Sequence, residues 1–142
     1  MSKIAVFVDS DVVISSLLST KGAAFFLLKE QKGTFTISNI SKKEIREVAD
    51  RLEIDRDKLI SLIKKRLKIV NLTEDLTKIK MDFKDYTSDI NDAHIVAGVV
   101  RAKAKFLLTY NIRHFNRQKI SEDFGIIILT PAQYLQYLRS LE

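Results

Sequence analysis

Apolar and polar positions change period several times along the chain, and the changes mark out a series of short elements. The run from Lys3 to Asp11 is apolar from Ile4 to Val8, too short for anything but a buried strand, and it breaks abruptly into Asp9 and Asp11. Val12, Val13, Ile14, Leu17 and Leu18 follow as a helix, so Asp9 falls where strand gives way to helix. Gly22 to Gln31 predicts a second short helix ending near Gly33, and Thr34 to Ile37 a second strand. Ser41-Lys42-Lys43-Glu44 has the capping-box pattern and opens a helix through about Leu52, with Ile45, Val48, Ala49 and Leu52 on one face. Asp55 to Leu67 repeats the helical period, Lys68 to Leu72 predicts a short strand, and Thr73 to about Phe83 another helix. The polar, turn-like Thr87 to Asp92 yields to Ala93–Val100, a run too apolar for a surface helix. Lys105 to Leu108 and Ile126 to Leu129 predict the last two strands, and Pro131 starts a final helix bearing Tyr134, Leu135 and Leu138. Strands alternating with helices predict an α/β fold: a parallel sheet of about five strands with right-handed crossovers and helices on both faces.

Composition narrows the chemistry. At 142 residues, 46% of them hydrophobic, the chain is read as one domain, 1–142, with a sizeable core. No apolar run approaches the roughly 20 residues of a membrane span, and the N-terminus has none of the regions of a signal peptide, so a soluble, cytoplasmic protein is expected. The absence of cysteine excludes disulfides, thiolate chemistry and cysteine-ligated zinc, and the two histidines lack paired-ligand spacing. Any metal must then be a hard one held by oxygen. The net charge of +6 suits an anionic partner, nucleic acid above all. Lys42, Lys43, Arg113 and Lys119 are the candidates for phosphate contacts, while Lys64 to Lys68 is expected to cover a solvated helix face.

Three acids stand at comparable places: Asp9 after the first strand, Glu44 in the helix after the second, and Asp92 at the head of the buried helix before the fourth. Parallel topology can bring all three to one edge of the sheet, where ligands bind in open α/β folds. Clustered carboxylates repel one another, and Mg²⁺ or Mn²⁺ resolves the repulsion, because hard cations prefer oxygen. Such an ion can deprotonate a water, orient it on a phosphodiester and neutralise charge in the transition state. Each acid also has a plainer reading. Asp9 or Ser10 can cap its helix, Glu44 suits the third position of a capping box after Ser41, and Asp92 or Asp89 can cap the buried helix. His94 reads equally as a core histidine, and Asp11 as a first-turn acid.

Taken in order, five motifs resemble those of the PIN-domain family over essentially the whole chain. They are Phe7-Val8-Asp9-Ser10-Asp11-Val12-Val13-Ile14-Ser15, Ser38 with Glu44 six residues on, Asp92-Ala93-His94-Ile95-Val96-Ala97, Leu107-Leu108-Thr109-Tyr110-Asn111-Ile112-Arg113-His114-Phe115, and Ile128-Leu129-Thr130-Pro131-Ala132. The chain is most similar to small single-domain members such as the VapC-type toxins of bacterial and archaeal toxin–antitoxin pairs. The resemblance implies a three-layer α/β/α Rossmann-like sandwich and a Mg²⁺- or Mn²⁺-dependent ribonuclease, commonly a homodimer, with RNA as substrate and a possible cognate antitoxin.

By position, the resemblance makes Asp9, Glu44 and Asp92 the metal-binding acids. The family's fourth acidic position falls at Asn111, or in a variant three residues later at His114, and neither is a carboxylate here. A second ion is therefore expected to bind weakly. Asp11 stands where the family usually has asparagine or serine and can restore negative charge, and Ser10 matches the small hydroxyl residue after the first acid. Two other functions fit parts of the sequence. One is a non-catalytic RNA- or partner-binding module with a degenerate metal site. The other is a phosphatase of the haloacid-dehalogenase kind, for which Val8-Asp9-Ser10-Asp11 supplies the strand-D-x-D arrangement.

Overall fold

The computed structural model describes residues 4–142. In chain order the elements are β1 (Val6–Val8), α1 (Ser10–Leu18), α2 (Ala23–Glu30), β2 (Phe35–Ser38), α3 (Asn39–Arg51), α4 (Arg56–Arg66), β3 (Leu67–Val70), α5 (Leu76–Phe83), α6 (Ala93–Arg101), β4 (Phe106–Leu108), α7 (Arg117–Phe124), β5 (Ile127–Leu129) and α8 (Pro131–Ser140). Short 3₁₀ turns at Lys84–Tyr86, Ile90–Asp92 and Ile112–His114 complete the list. The strands form one five-stranded, all-parallel sheet in the order β3-β2-β1-β4-β5. Strand order reverses direction between β1 and β4, so the crevice beyond their C-terminal ends is the switch point where doubly wound folds bind ligands.

Alternation along each strand divides the core in two. Val6, Val8, Ile37, Phe106 and Leu108 face one side, where they pack with Val12 and Val13 of α1, Leu27 and Leu28 of α2, Ile45 of α3, Leu62 of α4 and Leu135 of α8. Phe7, Leu107 and Ile128 face the other, against Ile95, Val96 and Val99 of α6 and Ile120 of α7. The result is the three-layer α/β/α sandwich expected from the sequence. Helix α6 lies so close to β1 that a Cβ on Gly98 would stand 2.7 Å from the Phe7 ring. Glycine at this point sets the depth of the helix, and with it the height at which Asp92 and His94 emerge.

Several boundaries differ from the sequence reading. Lys3 lies outside the described residues, and Ile4 is exposed, because the ladder of β1 starts only at Val6. Helix α3 begins at Asn39, not at Ser41: the Ser38 hydroxyl already accepts the Ser41 N–H at 3.0 Å, so β2 runs straight into its helix. Ser41 is consequently buried within the first turn, and the expected capping box with Glu44 does not form. Asp55 and Asp75 cap α4 and α5 from outside, which shortens both helices at their N-termini. Lys64, Lys65 and Lys68 are exposed, as expected, while Arg66 is half-buried and its guanidinium donates to the carbonyls of Lys29 and Gln31 at the end of α2. Helix α7 went unpredicted; only Ile120 of its residues is buried, which leaves little periodic signal.

Candidate functional site

Asp9 stands at the end of β1 as the N-cap of α1, where its Oδ1 accepts the Ser10 N–H at 2.7 Å. Its other oxygen accepts the Thr109 hydroxyl at 2.9 Å, from the residue just beyond β4. The cap and the sheet-edge reading therefore hold together. Asp9 is only 8% exposed, and burial, reinforced by the charge of Asp11, pushes its pKa up to about 7. Asp11, in the first turn of α1, accepts the Tyr110 N–H at 3.0 Å and the Asn111 side-chain amide at 3.1 Å, both on Oδ2. Burial raises its pKa as well, against the pull of the Tyr110 and Val12 N–H groups, and the charge of Asp92 adds to the rise. Asp11 Oδ1 is buried without a hydrogen-bond partner.

Glu44 reaches the same region from the second turn of α3. Its Oε1 accepts the Ser10 hydroxyl at 3.1 Å, and its Oε2 lies 3.1 Å from His94 Nε2 on α6. An ionised carboxylate only accepts, so Nε2 carries the proton, and the buried Nδ1 is left without a partner. Burial alone would raise the Glu44 pKa, but His94 and then Ser10 outweigh it and the net shift is downward. The core-histidine reading of His94 and a role at the edge are thus compatible: the ring is buried, yet its outer nitrogen holds Glu44.

Asp92 ends the 3₁₀ turn before α6. Asp89 takes the capping bond there, accepting the Asn91 N–H at 2.9 Å, and this leaves the Asp92 carboxylate without a capping role. It instead lies 3.1 Å from His114 Nδ1. Burial raises the Asp92 pKa and the contact with His114 opposes the rise, with the net shift upward. The two are brought side by side by an antiparallel bridge between Thr87 and Phe115 and by the Ser88 N–H donating to the His114 carbonyl at 2.8 Å. Asn111 is exposed beside them, its N–H donating to Thr109 Oγ1 at 3.0 Å.

The structure therefore links Asp9, Asp11 and Asn111 directly through the segment after β4, joins Glu44 to them through Ser10, and sets Asp92 within electrostatic reach of Asp9 and Asp11. Among the described residues, no three His, Asp or Glu side chains stand close enough together to hold a metal ion between them. Nor, among the described residues, does a lysine or arginine pair with Asp9, Asp11 or Asp92. Mutually repelling acids and an orphaned buried carboxylate oxygen fit a hard divalent cation, and Mg²⁺ is commonly held by one or two carboxylates with the rest of its shell left to water and phosphate.

On the basic side, Lys43 lines a shallow cleft beside Glu44, Asn91 and His94, and Lys80 of α5 lines it too. Lys80 and the positioning hydroxyl of Thr109 escaped the sequence reading; a polar residue directly after a buried strand was the available signal for Thr109. Arg113 is exposed next to His114, and Lys42 is half-buried. Lys119, by contrast, sits 4.9 Å over the Tyr86 ring and serves as a brace for that aromatic group.

A doubly wound parallel sheet with acids at its switch point defines an α/β protein of the kind that binds ligands at that edge. Residues 5–113 match the PIN domain, most of the chain, and the chain belongs to the PIN-domain family. Family membership sets aside the phosphatase reading of the Val8–Asp11 motif. No curated protein sequence matches the chain. The fold is similar to that of a toxin–antitoxin complex from Klebsiella pneumoniae, with a TM-score of 0.65 and 20% identity over 89% of this chain and 97% of the other. It is similar also to VapBC2 from Rickettsia felis bound to a promoter DNA fragment (TM-score 0.60, 16% identity, 89% and 98% covered). A third similar structure is VapC20 of Mycobacterium tuberculosis, a toxin that cleaves the sarcin–ricin loop (TM-score 0.54, 15% identity, 84% and 96% covered).

Proposed function

We propose that this PIN-domain protein is a divalent-metal-dependent endoribonuclease, the toxin of a toxin–antitoxin pair, with Asp9, Glu44 and Asp92 as metal-binding acids and Asn111 beside them. The observation that carries the reading is the uncompensated acidity at the switch point: burial and the charge of Asp11 raise the pKa of Asp9, burial and the charge of Asp92 raise that of the half-buried Asp11, and among the described residues no lysine or arginine pairs with either. Mg²⁺ or Mn²⁺, when bound, supplies Lewis-acid activation of a water and neutralises charge on the phosphodiester. The chain's own residues do the positioning. Thr109 fixes the rotamer of Asp9, His94 holds Glu44, and His114 steers Asp92, each by a hydrogen bond behind the carboxylate. Lys43 and Lys80 flank the cleft, where they are suited to bind backbone phosphates of RNA.

Similarity to toxin–antitoxin structures supports the toxin role and, with it, a cognate antitoxin; a homodimeric form is proposed from the family resemblance. Exposed Leu18 and Phe26 offer apolar surface for such contacts. The test is cleavage of an unstructured RNA by the wild-type chain with Mn²⁺ or Mg²⁺, alongside an Asp9→Asn control and a reaction in excess chelator. Cleavage in the first reaction alone supports the reading. Cleavage that persists in either control points to a contaminating nuclease or a metal-free chemistry, and RNA binding without cleavage under any condition favours a non-catalytic module.

A further inference from the structure

Asp11 is the acid of the sheet edge for which the ligand set of Asp9, Glu44 and Asp92 provides no role. It shares its anchorage with Asp9: the three consecutive residues Thr109, Tyr110 and Asn111 supply a hydroxyl to Asp9 and a backbone N–H and a side-chain amide to Asp11. Thr109 also accepts the Asn111 N–H, so the segment is tied to itself as well as to both acids. A first-turn acid serving only the helix dipole needs no such clamp and keeps its oxygens in water. Here both donors converge on Oδ2, and Oδ1 is buried with no partner at all. Leaving a buried acceptor unsatisfied is unfavourable, and the more so for a charged group. No lysine or arginine among the described residues pairs with Asp11.

We infer that Asp11 is a direct ligand of the divalent cation, supplying from α1 the carboxylate that Asn111 does not supply from the segment after β4. The inference rests on the metal-dependent reading of this edge. The hydrogen bond from the Asn111 amide fixes one oxygen of Asp11 and leaves the other for the ion. Exchanging the two side chains keeps the same atoms, the same charge and a hydrogen bond between the same positions, with donor and acceptor reversed. The negative charge is therefore transferable between positions 11 and 111 without rebuilding the site.

Calorimetric titration of the full chain with Mn²⁺ alone tests this, using wild type, Asp11→Asn, the double variant Asp11→Asn with Asn111→Asp, and Asp9→Asn as reference. Asp11→Ser guards against misfit of the added amide, and circular dichroism with metal-free melting confirms that each variant is folded. Removal of one charged ligand should weaken Mn²⁺ binding by about tenfold or more in both Asp11 variants, and the exchange should bring it back to within about threefold of wild type. Wild-type affinity in Asp11→Asn, when Asp9→Asn binds the ion weakly, overturns the Asp11 assignment and leaves the metal site standing. A double variant no tighter than Asp11→Asn overturns the exchange. No binding by the wild type, or binding that Asp9→Asn leaves intact, overturns the metal reading of the edge and Asp11 with it.

Discussion

Asp9 and Glu44 meet at Ser10, which gives its N–H to one and its hydroxyl to the other, yet their surroundings tune them in opposite directions. Asp9 is buried beside a second carboxylate, and its pKa rises to about 7; Glu44 is half exposed, faces His94, and its pKa falls. The Glu44 half of the site is self-sufficient, since the protein provides its donors. The Asp9–Asp11 half is incomplete, because hydrogen bonds satisfy part of its oxygens while its charge stays unanswered. Two acids bridged by a single serine thus reach the ion differently prepared, Glu44 positioned by the fold's own donors and Asp9 with its charge still unanswered.

The largest expected effect separates the two halves by activity. Asp9→Asn should lower metal-dependent RNA cleavage by about 1,000-fold or more, whereas Glu44→Gln, which keeps the Ser10 and His94 contacts in weakened form, should cost about 10–100-fold. Equal reductions in single-turnover assays would break the comparison.

The pH dependence of stability should also differ in sign. The folded pKa of Asp9 lies above its ordinary 3.8, so the native state holds the proton more tightly than the unfolded chain, and metal-free stability falls as pH rises from about 4 to about 7. At about 1.4 kcal/mol per unit this amounts to at most about 4 kcal/mol. Glu44 is depressed below 4.5, so its contribution is present above that value and disappears as pH falls through the folded pKa. Urea unfolding in chelator should show Asp9→Asn more stable than wild type at pH 7.5 and no different near pH 3.5. A constant difference across that range would remove titration of Asp9 as its cause.

Gly98→Ala should destabilise the chain by about 1–3 kcal/mol, since the new methyl group meets the buried Phe7 ring and α6 must shift with Asp92 and His94. Thermal melting measures the first effect and Mn²⁺ affinity the second. The smallest changes concern the basic rim. Alanine at Lys43, Lys80 or Arg113 should flatten the salt dependence of RNA binding by about 0.7–0.9 units of slope for each phosphate no longer neutralised. Alanine at Lys119 should leave the slope unchanged, because that ammonium is engaged with Tyr86.

Much of this was legible in the sequence, for identifiable reasons. Strand faces alternate, Asp9 stands where the first strand breaks into polar chain and Asp92 where polar chain gives way to the buried helix, so both the sheet and these acids could be placed. The start of α3 could not. Ser38 and Ser41 are both competent caps, and only the direct passage of β2 into the helix decides for Ser38. That choice moves Glu44 from a capping position to the second turn, beside Ser10 and His94. The contact of Asp92 with His114 depends on the bridge between Thr87 and Phe115, a pairing of distant segments with no local pattern. Lys80 reaches the cleft only because α5 packs on α6, through Ile79, Ala93 and Ala97.

The central claim, that the Asp9–Asp11 half of the site is built to be completed by a cation, is most directly tested by the melting temperature of wild type and Asp9→Asn at pH 7.5, each in chelator and in excess Mn²⁺. Mn²⁺ should raise the wild-type midpoint by several degrees, and Asp9→Asn, already more stable in chelator, should gain little from the ion. Equal Mn²⁺ shifts in both proteins, or none in the wild type, would contradict the claim.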